Sequence, residues 1–369
     1  MKIGFFVYAM NLRGVANSIF KYAYYNETIL KNKSYIFFDK SNIQHEKQVI
    51  NKFKNNFNTI ELDNLENINT IKNKIDLDIF YSQIGKVSDY NLPKNIKNFI
   101  HLIFPQPFYR ISDKHCVFIS KWLSMECSNN KFPYLPFIIN CHTNNKNLRK
   151  ELKINKNAIV YGCHGGAESF DLAFVKQVIF RILEIRTDIF FLFLNINKFA
   201  NHPNIIFLKG TIDDDYKISF INTCDAMLHG RSLGESFGIA CAEFAIKNKP
   251  IFTYKFSRDR AHIHLLKKKI FLYSSEDNLF NLINTFNKYK YKNFNSANLY
   301  KNFSPEKVMN KFKNIYSKKN FYYKITYEDY FTVFLYQIKK KYYYIRHKIY
   351  HHYFNFFRYK DKLNFTYKM

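Results

Sequence analysis

The sequence predicts an α/β protein made of two doubly wound parallel sheets, each with its own core. Three observations lead there. Short apolar runs alternate with helical periodicity from the first residues onward, a second alternation begins after residue 158, and Pro133-Tyr134-Leu135-Pro136 stiffens the chain between them. At 369 residues there is material for two domains of ordinary size, which we place at 1–138 and 139–318, with a tail from 319 to 369.

In the first unit Ile3–Tyr8 reads as a strand, Val15–Leu30 as a helix and Ser34–Phe38 as a strand. Gln44–Phe57 carries helical spacing, and Thr59–Leu62, Ile79–Tyr81 and Phe99–Phe104 read as further strands. Phe118–Ser120 and Trp122–Glu126 add a strand and a short helix. The second unit starts with strand Ala158–Gly162, then helix Phe174–Ile185 and strands Ile189–Leu194 and Asn204–Leu208. Helix Tyr216–Thr223, strand Cys224–His229, strand Ile251–Tyr254, strand Ile270–Tyr273 and helix Glu276–Phe286 follow. Ser304-Pro305-Glu306 opens a last helix to Ile315 with the residues that favour a helix start.

The most informative stretch is 224–254. The strand breaks at Gly230, a polar turn carries Gly234, Glu235 and Gly238, and a nearly all-apolar helix holds a single acid, Glu243. Seven residues separate Glu235 from Glu243, so one acid lies in the turn and the other two helical turns on. A strand end with glycines and a helix start suits an anionic ligand, and a carboxylate in a buried helix needs a hydrogen-bonding partner. The plainer alternative is a capped core helix.

This constellation resembles the Glu-x7-Glu signature of retaining GT-B glycosyltransferases, especially glycosyltransferase family 4. The resemblance spans residues 1–318 loosely and 224–254 specifically. It implies a GT-B fold, a nucleotide diphosphate sugar as donor, no further cofactor, and a metal-independent site. Glu235, as the catalytic carboxylate, and the backbone of Ser236, Phe237 and Gly238 would face the donor sugar and diphosphate, and Glu243 the ribose. His164-Gly165-Gly166 would line the pyrophosphate, and the loop at Arg13-Gly14 would close the cleft from the first domain. The family's usual Arg–Lys pair is missing, which makes Arg231 the substitute cation. His101, on an apolar strand, stands where the family often has a catalytic histidine, and equally fits a satisfied core residue. Arg13-Gly14 also fits an ordinary turn.

Composition narrows the partners. Fifty-seven Lys and Arg against 29 Asp and Glu give a formal charge of +28, which fits either an anionic partner or a Lys- and Asn-rich coding bias. The six cysteines show no Cys-x-x-Cys, which fits a reduced, cytoplasmic protein. Asp213-Asp214-Asp215 reads as a helix cap, and neither His262/His264 nor His351-His352 makes a metal site. From 321 onward ten basic residues meet three acids among many Tyr and Phe. That tail suits an anionic membrane surface, with the protein peripheral at the inner face, or a helix folded back on the first domain; nucleic acid is not expected. The implied acceptor is a glycan or lipid-linked. Two rivals stay open: a non-catalytic GT-B scaffold binding an anionic surface, and a GT-B nucleotide-sugar epimerase.

Overall fold

The computed structural model describes residues 1–63, 75–85, 92–93, 96–106, 115–140, 144–291 and 294–317, and in the tail 326–328, 330–331, 334–339, 341–342, 345–346 and 349. In the first domain β1 (Lys2–Phe6), α1 (Gly14–Thr28), β2 (Lys33–Asp39), α2 (Lys47–Lys54), β3 (Asn58–Leu62), β4 (Ile79–Ile84), β5 (Lys97–Leu102), β6 (Cys116–Phe118) and α3 (Lys121–Ser128) follow in turn. The six strands pair in parallel in the order β3-β2-β1-β4-β5-β6.

The second domain runs β7 (Ile159–His164), α4 (Ala173–Leu183), β8 (Ile189–Leu194), β9 (Ile205–Leu208), α5 (Asp214–Thr223), β10 (Ala226–His229) and β11 (Gly234–Glu235). It continues with α6 (Ile239–Ile246), β12 (Ile251–Tyr254), β13 (Asp259–Arg260), α7 (Ala261–Leu266), β14 (Phe271–Tyr273) and α8 (Glu276–Asn284). Its sheet has the order β14-β12-β10-β7-β8-β9, the same topology as the first, with β11 and β13 forming a separate parallel pair. Both sheets therefore reverse direction of winding beside their first strand, and ligands of such sheets lie outside the carboxyl ends at that reversal.

Two expectations shift for identifiable reasons. The helix predicted from Gln44 begins only at Lys47, because the preceding side chains serve the loop after β1. His45 Nδ1 accepts from the Met10 amide at 2.8 Å, and Glu46 Oε1 from the Leu12 amide at 3.0 Å. The segment 133–135, read as part of a stiff link between the domains, lies along the edge of the first sheet, with Leu135 N donating to Phe118 O at 2.8 Å and Phe118 N to Pro133 O at 3.0 Å.

The final helix α9 (Pro305–Tyr316) crosses back. Its Val308, Met309, Phe312, Ile315 and Tyr316 join the first-domain core with Ile3, Phe5, Tyr22, Tyr81 and Phe99. Packing puts this helix with the first domain, although the sequence reading ran the second domain to 318. The two domains meet through apolar contacts, as in Phe137 against Phe237 with ring centroids 5.0 Å apart. One buried cluster includes Ile84, Leu102 and Trp122 of the first domain with Phe237 and Phe244 of the second.

Candidate functional site

The loop after β1 is the first-domain wall. Besides His45 and Glu46, Asn11 Oδ1 accepts from the Arg13 amide at 3.1 Å, so the turn that presents Arg13 is held from three sides. Gly14 opens α1 directly against the second domain: a β-carbon there would lie 2.9 Å from Ile239 Cδ1 on α6. A β-carbon on Gly166 would lie 3.8 Å from Arg13 Nε. The structure thus brings Arg13, Gly14, Gly166 and the start of α6 together, although 224 residues separate Gly14 from Ile239.

Opposite stands the turn between β10 and α6. Gly234 and Gly238 have φ of +67° and +90°. Side chains are also blocked there, since a β-carbon on Gly234 would meet the Asp259 carbonyl and one on Gly238 would press on Glu235 and His262. Between them Glu235 is fixed by two donors. Arg231 Nη1 reaches Oε1 at 3.0 Å and His229 Nε2 reaches the same oxygen at 3.2 Å. Burial opposes ionisation, but the guanidinium and the histidine outweigh it and hold the carboxyl at about 2. Phe237 turns its ring into the core against Phe137 and Phe303, so only its backbone remains for a ligand, while Ser236 is half-buried.

Behind Glu235 lies a chain of buried groups that the sequence did not suggest. His229 Nδ1 sits 2.7 Å from Thr253 Oγ1, which is 3.0 Å from His262 Nε2. Burial, and next the neighbouring His229, lower His262 to about 3, so it is neutral. With His229 donating to Glu235, the consistent direction is His262 Nε2–H to Thr253, Thr253 hydroxyl to His229 Nδ1. That order fixes the tautomer of His229 and with it the orientation of Glu235.

Glu243 is not the isolated acid the helix sequence implied. Lys217 of α5 donates to Oε1 at 2.7 Å and also lies 3.1 Å from Asp214 Oδ1. His164 Nε2 is 3.1 Å from Glu243 Oε2 but out of hydrogen-bond alignment, which leaves both atoms buried without a hydrogen-bond partner among the described residues. Burial opposes the charge on Glu243, yet Lys217 and then His164 hold the carboxyl well below the usual range. Lys217 is raised: burial lowers it, and Glu243 and Asp214 more than compensate. Lys21 of α1, buried in the facing domain, is lowered by burial and then by Lys217. The Glu243 cluster therefore spans the domain boundary.

Other predicted residues fall elsewhere. His101 is a core residue and loses its catalytic assignment. Nε2 donates to Leu135 O at 2.8 Å, Nδ1 accepts from the Tyr81 hydroxyl at 2.6 Å, and burial lowers it to about 3. Neither ring nitrogen is left for a sugar. Asp213 caps α5, accepting from the Asp215 and Tyr216 amides at 2.8 and 3.3 Å. His351-His352, Cys141 and the tail beyond 349 lie outside the described residues. Among the described residues no three His, Cys, Asp or Glu side chains gather as metal ligands.

No protein-family model matches the chain, and no curated protein matches it in sequence. Solved structures do match. A glycosyltransferase from Rickettsia africae superposes with a TM-score of 0.64 at 13% identity, covering 86% of this chain and 97% of that one. Anabaena HepE in complex with UDP-glucose gives 0.64 at 11% identity, over 86% and 99%. The UDP-GlcNAc 2-epimerase of Neisseria meningitidis bound to UDP-GlcNAc gives 0.53 at 10% identity, over 86% and 100%. The architecture is GT-B, two Rossmann-like domains facing one another across the site just described.

Proposed function

We propose that the chain is a glycosyltransferase that moves a sugar from a nucleotide diphosphate donor to a glycan or lipid-linked acceptor, with retention of configuration. The observation that carries this reading is the turn 229–243. It sets an ionised Glu235, a left-handed Gly238 at a helix start and the buried Glu243 at the winding reversal of the second sheet, against Arg13 and Gly14 of the first domain.

The residues divide the work by charge. Glu235 is held ionised, so it accepts hydrogen bonds from donor-sugar hydroxyls and favours positive charge developing at the anomeric carbon; it cannot serve as an acid. Arg13, Arg231 and the amides of Gly165 and Gly166 are the groups that would stabilise the departing diphosphate. Arg231 must then share its guanidinium between Glu235 and phosphate. Glu243 Oε2 and His164 are the buried polar atoms suited to ribose hydroxyls, and since Glu243 is 5% exposed, the domains must part for a donor to enter. UDP-sugars are the first donors to try, given the nucleotide bound by HepE. The free cysteines among the described residues, all buried, fit the cytoplasmic side of a membrane as the place of action.

The test is release of nucleoside diphosphate from a panel of nucleotide sugars, with and without acceptor extracts. Acceptor-dependent release supports transfer, and Glu235→Gln should lower it about 100-fold or more. Formation of an epimeric nucleotide sugar with no acceptor would favour the epimerase. Binding with neither reaction would leave a non-catalytic scaffold.

A further inference from the structure

One strand away from Glu235 the chain forms a cavity of about 230 Å³ that shares no lining residue with the site described above. Arg260 of β13, the register partner of Glu235 in β11, lines it with Arg258 and with His264 of α7. Trp122 and Glu126 of α3 form the first-domain wall, and Tyr336 and Lys339 of the tail, both among the described residues, make the third side. Two of the cations are anchored by acids. Arg258 donates to the buried Asp259 at 2.9 and 2.7 Å, and Lys339 Nζ to Glu126 Oε1 at 3.1 Å. The charges do not cancel, because among the described residues Arg258, Arg260 and Lys339 stand against Glu126 and Asp259. Burial and then Arg260 lower His264, so that ring is neutral, and its centroid lies 6.3 Å from that of Trp122.

One polar group at the cavity is unsatisfied. Tyr336 is 7% exposed, and its hydroxyl is buried with no hydrogen-bond partner among the described residues. Buried hydroxyls are as a rule bonded, because leaving one unmade is costly. The lining also says which partner fits. The cations and the Tyr336 hydroxyl call for acceptors, Glu126 for hydroxyl donors, and the Trp122 face for a ring. A bare anion answers the cations alone, and an aromatic acid offers Glu126 no hydroxyl. A hydroxylated ring with one negative group meets all three demands. The cavity is smaller than the roughly 300–1,000 Å³ of sites for drug-sized ligands, which holds the occupant to a single ring. We infer that it binds one sugar ring carrying a phosphate or a carboxylate. The ring lies against Trp122, the anion faces Arg258 and Arg260, and the hydroxyls bridge Tyr336 and Glu126. The inference does not rest on the proposed transfer reaction, so it stands or falls separately.

Trp122 is the single tryptophan, so its emission reports on the cavity directly. Full-length protein is titrated with the 6-phosphates of glucose and mannose, with glucuronate and galacturonate, and with glucose and inorganic phosphate as controls. At least one anionic sugar should change the emission saturably and raise the thermal unfolding midpoint, at a concentration about tenfold or more below that needed for either control. Which anionic sugar acts distinguishes the phosphate from the carboxylate. Tyr336→Phe keeps the ring and removes the hydroxyl. Without ligand its unfolding midpoint should equal or exceed that of the wild type, and its affinity for the sugar should be about tenfold weaker. Inorganic phosphate acting as strongly as the sugars, an adventitious ion only, overturns the inference, and so does an equal response to glucose. The absence of a saturable response to every anionic sugar overturns it as well, as does unchanged affinity in Tyr336→Phe. A lowered midpoint of that variant without ligand would mean that the hydroxyl already serves the fold, and counts equally against the site.

Discussion

Replacing Lys217 with Met tests the electrostatic design of the domain boundary. Methionine keeps most of the aliphatic stem but removes an ammonium 2.7 Å from Glu243 Oε1, where the two side chains are 14% and 6% exposed. The carboxylate is then buried with a misaligned His164 beside it and the Lys21 charge across the domain boundary, and breaking a buried pair in this way costs about 3–5 kcal/mol. Glu243→Leu should cost less, about 1–3 kcal/mol, since Lys217 keeps Asp214 at 3.1 Å. The double variant should recover most of the loss, because an apolar pair strands no charge. Denaturant unfolding followed by circular dichroism and by the emission of Trp122, the single tryptophan, gives the values where both probes coincide. The pH dependence adds a sign. In the wild type Glu243 is held below its unfolded value of about 4.3, so its contribution is present above that pH and is lost as pH falls through the folded value. Without Lys217, burial raises the folded carboxyl above the unfolded one, and the deficit of the variant should be largest near neutrality and shrink toward about pH 5. A deficit constant across that range, or a double variant worse than either single one, refutes the reasoning.

Two further substitutions probe the cleft and the core. Gly14→Val places a branched side chain against Ile239 and should hold the domains apart; small-angle scattering should report a larger radius of gyration, with weaker donor binding. His101→Phe keeps an apolar ring but leaves the Leu135 carbonyl without the imidazole donor and the Tyr81 hydroxyl, which still accepts from Gln83 Nε2 at 2.8 Å, without its acceptor, so about 1–3 kcal/mol of stability should be lost with kcat unchanged.

The parallel sheets were legible because buried parallel strands are short apolar runs, and the turn 230–238 because glycines mark positions that side chains cannot occupy. Pairings across the fold were not. Lys217, Lys21, Thr253 and His262 sit on other elements than Glu235 and Glu243, and nothing local to them signals a shared site. His45 and Glu46 looked like a helix start, and only the loop after β1 gives their side chains another use. The amphipathic pattern of α9 showed that one face is apolar without saying which domain covers it. His101 had the right residue type on the right strand, and its two hydrogen-bond partners decided against it.

The crossing of α9 has a consequence for biosynthesis. The first domain's core includes Phe312 and Tyr316, and the returning segment passes beside the outgoing one, with Ile139 N donating to Phe303 O at 2.9 Å. A ribosome completes the first sheet long before it makes that helix. At roughly 5–20 residues per second the interval is on the order of ten seconds or more, enough for the second domain to begin folding first. During that wait Tyr22, Tyr81 and Phe99 lack their cover. The amino-terminal half is therefore a nascent chain with an open core, a natural client for chaperones, and the domain made first is the one finished last.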